Sequence, residues 1–115
     1  MPIIGKMDRR VTLQAESLQR GGAGQAKRAF TDIATVWAHI ENLREREISE
    51  SDKHTVELNV RVTIRYRKDV RRDWQVKIDD PAGIRILGIT GILNPNDGRH
   101  ELRLICRELS FGEPV

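Results

Sequence analysis

At 115 residues the chain has room for one domain with a single core and not for two. Hydrophobic residues make up 38% of it and charged residues 32%, which predicts a modest core under a wide charged exterior and leaves no run near the roughly 18 apolar residues of a membrane span. The net charge is only +3, but 15 of the 20 cations are arginine, whose planar guanidinium grips two carboxylate or phosphate oxygens at once.

The opening MPIIGKMDRR has an apolar stretch of two residues, too short for a secretory signal core. Residues 8–16 alternate, Val11, Leu13 and Ala15 on one side and Arg10, Thr12 and Gln14 on the other, and predict a first strand. The alternation stops at Ser17. SLQRGGAGQAK carries three glycines and no large apolar residue after Leu18, so residues 17–29 read as a long flexible loop. Alternation resumes over residues 35–43, where Val36, Ala38 and Ile40 oppose Trp37, His39 and Glu41 in a second strand. REREISESDKH, residues 44–54, is dense in charge, and the pairs Glu41/Glu45 and Arg46/Glu50 sit at helical spacing; a short exposed helix or a charged loop is expected there.

The third strand starts at Val56 with VELNVRVTIRYRKDV, whose apolar face is Val56, Leu58, Val60, Val62, Ile64 and Tyr66 and whose other face carries Arg61, Arg65 and Arg67. Residues 73–78 supply a fourth strand and 84–93 a fifth, the glycines at 88 and 91 marking a bulge or close crossing. Residues 99–109 supply the sixth, with Cys106 on the Leu102 and Leu104 face as a buried structural thiol. Asp79-Asp80-Pro81-Ala82-Gly83 and Asn94-Pro95-Asn96-Asp97-Gly98 are turns, and residues 110–115 form a frayed tail. The sum is one all-β domain, a small antiparallel barrel or sandwich with a long loop and one helical insert; a closed six-stranded antiparallel β-barrel is expected, because closure hides the edges. A lone cysteine allows no intrachain disulfide and fits a reducing, cytosolic setting.

No motif points to catalysis. GGAGQAKR fails the phosphate-loop pattern because Lys27 does not follow a glycine and precedes Arg28. His39, His54 and His100 lack metal-ligand spacing, and Asn94 to Gly98 lacks the glutamate that closes a calcium loop. Asp79 and Asp80 precede a proline, as turn residues do, with no base or nucleophile near them. No catalytic, metal or cofactor site is expected. The arginines Arg61, Arg65, Arg67, Arg71 and Arg72 are either a solvated strand face or a binding surface. Their complement lies in the same chain, in Glu41, Glu45, Glu47 and Glu50. A protein carrying both can pair head to tail with its own copies, and such contacts close into rings when the rotation permits. A DNA-binding barrel using these arginines on phosphates is the alternative, set against a small basic excess and no interleaved aromatic platform.

GKMDRRVTLQ, then VWAHIENLREREI, VTIRYRKDVRRDWQV, IRILGI and ELRLICREL, in this order over almost the whole chain, resemble the phage head-tail joining family, the small head-closure and adaptor proteins of long-tailed phages and gene transfer agents. The resemblance implies a non-enzymatic virion protein, assembled in the host bacterial cytoplasm, that forms a ring in the neck. Six copies are favoured and twelve are the alternative, with the portal or adaptor ring above, tail proteins below and packaged double-stranded DNA passing through. It also implies that loops carry function. The candidates for lining the channel or docking partners are Arg20, Gly21, Gly22, Gly24, Gln25 and Lys27 in the first loop, and Arg46 and Lys53 in the charged insert.

Overall fold

The computed structural model describes the backbone of residues 7–20, 26–50 and 53–112, and the side chains of residues 7–17, 29–43 and 57–108. Six strands follow one another among the described residues: β1 (Arg9–Arg20), β2 (Ala26–Glu50), β3 (Lys53–Arg65), β4 (Gln75–Asp80), β5 (Gly83–Leu93) and β6 (Glu101–Gly112), with a 3-10 turn at Pro95–Asp97. Every neighbouring pair is antiparallel, and the order β1-β2-β3-β6-β5-β4 closes when β4 pairs with β1. The expected six-stranded antiparallel barrel is therefore what the chain builds.

Alternation explains the closure. Val11 and Leu13 in β1, Val60, Val62 and Ile64 in β3, Val76 and Ile78 in β4, Leu87 in β5 and Leu102, Leu104 and Cys106 in β6 are buried on the inside. Burying each aliphatic side chain contributes roughly 1.5–3 kcal/mol against the unfolded chain's entropy. Both predicted turns are present. The first places Gly83 at φ 136°, a backbone conformation only glycine adopts without strain. The predicted irregularity of β5 is a register shift between Ile89 and Gly91 opposite β6.

Inside β6, burial pushes the Cys106 thiol up from the usual 9.0 to about 12. Its neutral form favours folding fully below the unfolded-state pKa near 9.0, and that contribution is lost as pH rises toward about 12. Alkylation of the native protein at pH 8 is expected to be negligible over hours and complete in denaturant; rapid modification of the folded form would contradict a sealed core.

β2 is the unusual element. Its 25 residues would reach about 80 Å if straight, yet the longest dimension of the molecule is 44 Å, so the strand bends sharply. Register shifts opposite Leu13/Gln14 and at Asn42/Arg44 supply the bends. Residues up to Ala38 pair with β1 and residues from Ala38 onward pair with β3, so Ala38 is the one β2 residue with a register partner on both sides, Arg9 and Ile64. Because β4 pairs with β1 only over residues 11–14, the rest of β1 and the first half of β2 continue as a two-stranded arm. At the other end β2, β3 and β6 continue together as a three-stranded arm. The radius of gyration, 15.9 Å, exceeds the roughly 13 Å of a compact chain this long.

These arms correct three expectations. The loop over 17–29 is strand at both ends, with Ser17 to Arg20 paired to Ala26 to Ala29; residues 21–25 lie outside the described ones. An arm beyond the barrel has no core to cover, so its sequence needs no alternation. The helical insert over 44–54 is instead the end of β2 and the start of β3, joined by a register from Arg44↔Asn59 to Glu50↔Lys53, because ladder bonds to a neighbouring strand override helical spacing. The tail is not frayed from 110: β6 pairs with β3 as far as Gly112↔His54, and residues 113–115 are outside the described ones. The third strand also ends at Arg65, and Tyr66 to Val70 turn away.

Candidate interaction surface

The barrel separates its charges into three groups. At one end the inward-facing rows finish in charge instead of carbon. Arg9 continues the Val11 row, Asp80 the Ile78 row, Arg85 the Leu87 row and Glu108 the Cys106 row. Arg9 is bonded to Asp80. Arg85 Nη2 donates to Glu108 Oε1 at 2.8 Å, and Arg85 Nη1 lies 3.6 Å from Asp80 Oδ2. The Glu108 carboxylate raises the Arg85 pKa further. This chain of four side chains caps the core where β5 and β6 stop pairing beyond Gly88↔Arg107, so it is structural. Sequence reasoning assigned Asp80 to a turn and missed the other three. Their signal was a charged residue at an inward position of each strand.

The second group lies on the outer wall of β3 and β6. Arg107 Nε is 3.3 Å from Glu57 Oε1, and Arg103 Nη2 donates to Glu101 at 3.1 Å. Arg61 is half-buried and stands opposite Glu41 of the same chain, while Glu41 lies 3.4 Å from His39 Nε2. Thr63, between them, is fully buried, and its Oγ1 and Arg61 Nε find no hydrogen-bond partner. Two of the proposed partners, Arg61 and Glu41, are thus neighbours within one copy.

The third group gathers at the opposite end of the barrel. Arg65 closes β3, and Arg67, Lys68, Arg71 and Arg72 follow in the connection to β4. Tyr66 donates its backbone N–H to the His100 carbonyl at 3.3 Å, which brings Arg99 and the β5–β6 turn alongside. Arg67 holds Asp69 in a fork at 3.1 and 2.9 Å and lowers the Asp69 pKa. Arg65, Arg71 and Arg72 are exposed and have no ion-pair partner among the described residues. Two depressions flank this basic end. One, of about 340 Å³, is lined by Val36, Trp37, Arg65, Tyr66 and Arg67; the other, of about 620 Å³, is lined by Val70, Arg71, Arg72, Gly91, Ile92 and Leu93. Trp37 is half-exposed, with the Arg10 guanidinium 5.0 Å from its ring centre.

The remaining candidates fall on the arms. Glu45, Glu47, Glu50 and Arg46 lie in β2 and Lys53 in β3 at one arm; Arg20 and Lys27 pair Gln19↔Lys27 and Arg20↔Ala26 at the other. Their side chains, and all of Gly21, Gly22, Gly24 and Gln25, lie outside the described residues. Among the described residues no group of histidine, cysteine, aspartate or glutamate could hold a metal ion.

The sequence that builds this barrel and its arginine-rich end matches the family model described as phage head completion protein over residues 3–109. The chain belongs to this family. A head completion protein is a structural component of the virion and no enzyme, and it works with the other head and tail proteins of the particle. The fold is shared with a chain in the virion of a native gene transfer agent particle, at 18% identity and a TM-score of 0.70, covering 90% of this head completion protein and 94% of that chain. A Shigella flexneri 2a protein solved in solution is 30% identical, with a TM-score of 0.62 and coverage of 91% and 95%. Among curated proteins no sequence matches this chain.

Proposed function

We propose that copies of this chain form a ring in the neck of the particle, between the portal or adaptor ring and the tail, where the ring closes the DNA-filled head, extends the DNA channel and docks the tail. Six copies are favoured over twelve. The observation that carries this reading is the basic end, where Arg65, Arg71 and Arg72 are exposed and have no ion-pair partner among the described residues. Unsatisfied guanidinium groups held on strand ends and a short connection are suited to carboxylates of a neighbouring protein or to phosphates of DNA in transit. Contacts of this polar kind are weak singly and become stable when a preformed ring presents many at once, so the free protein is monomeric and assembles on the filled head.

Imaging of intact particles tests the reading. Density for the barrel is expected in the neck, repeated around the channel, with the basic end against an adjacent ring or the channel wall. Density at the tail tip or on the capsid faces would refute it.

A further inference from the structure

β2 has two stretches of backbone that the barrel does not use. Among the described residues nothing pairs with its β3 side before Ala38 or with its β1 side after it. Among the described residues each half therefore leaves a row of N–H and C=O groups along one edge, which proteins cover with a partner or blunt. The first edge borders the groove of about 340 Å³ between Val36 and Tyr66. Trp37 there is 51% exposed, and Arg65 has no ion-pair partner among the described residues. The second edge runs along ENLREREISE, residues 41–50, with four glutamates against two arginines. Glu45 and Glu47 stand two apart in its sequence.

We infer that this groove receives the 41–50 strand of a second copy, which extends β2 by main-chain hydrogen bonds while its glutamates meet Arg65. Charge complementarity selects the occupant: the groove is lined by arginine and aromatic groups, and the strand with a free edge is acidic. Phosphates of DNA would satisfy Arg65 but offer no N–H and C=O ladder to an open strand edge. Every copy carries both groove and strand, so the contact is heterologous and repeats around a ring when the rotation closes. The inference rests on the ring reading and gives that ring its subunit contact.

A labelled peptide ENLREREISE titrated with the full-length protein, followed by anisotropy, tests it. Saturable binding is expected, weakened at least about tenfold by Arg65→Glu, with circular dichroism confirming that this exposed substitution leaves the barrel folded. The same variant is expected to regain binding to a peptide carrying Glu45→Lys and Glu47→Lys. No saturation at millimolar protein, equal binding by Arg65→Glu, or equal binding of a scrambled peptide of the same composition would overturn it; the last would assign the groove to some other acidic partner. The peptide is read without particles and the neck position on particles, so failure of one leaves the other standing.

Discussion

Leu104→Ala is expected to lower the unfolding free energy by about 3 kcal/mol, within the range of buried leucine truncations. At this chain length that is a fall in Tm of roughly 10–20 °C, read by thermal unfolding. Leu104 is fully buried at the centre of β6, opposite Val62 in β3 and Ile92 in β5. Removing three carbons there leaves a void between strands whose ladder bonds hold them in place, so the walls cannot collapse into it. The matching substitution Ile86→Ala on the outer wall of β5, where the side chain is exposed, is expected to change stability by less than about 0.5 kcal/mol. Equal effects at the two positions would mean that the barrel interior is not the core.

The second large effect is functional. Arg65→Glu is expected to leave Tm within about 2 °C, because the side chain is exposed and has no ion-pair partner among the described residues to lose. In particles the same change is expected to cut head-tail joining by about 100-fold or more, with full heads and free tails accumulating separately on gradients. A reversed charge turns each favourable contact into a repulsive one, and a ring multiplies the penalty by its copy number. Arg65→Lys is expected to fall between, since an ammonium keeps the charge but not the fork. Arg61→Glu gives the contrast: half-buried in the wall between β2 and β6, it is expected to destabilise the fold itself. Normal joining by an incorporated Arg65→Glu subunit would remove the arginine end from the function.

What was readable in the sequence follows from where a core exists to be covered. Val60, Val62 and Ile64 alternate with polar residues because one side of β3 faces the barrel interior, and the same holds for β1 up to Gln14 and for β4, whereas β5 also carries exposed isoleucines at 84 and 86 on its outer side. The tight turns were readable because Asp80 to Gly83 and Asn94 to Gly98 are reasons for reversal written in the backbone. The arms were not. Ser17 to Arg20 pair with Ala26 to Ala29 outside the barrel, so nothing constrains their pattern, and Arg44 to Glu50 carry helical spacing that strand pairing overrules. For the surface, the arginine run was visible but its division was not. That Arg61 is half-buried in the wall opposite Glu41 while Arg65, Arg71 and Arg72 are exposed at the barrel end depends on β2 and β6 arriving on either side of β3, which local sequence does not encode. The cap of Arg9, Asp80, Arg85 and Glu108 joins positions up to 99 residues apart, beyond any motif.

Ala38 bears on how the particle handles force. It is the one residue of β2 in register with both flanking strands, and the two arms leave the barrel from either side of it along a single uninterrupted polypeptide. Tension applied at one arm travels to the other through covalent bonds of the main chain, while the flanking ladders are loaded lengthwise in shear and not unzipped rung by rung. Along that path a pull on either arm passes to the other within one strand of the subunit.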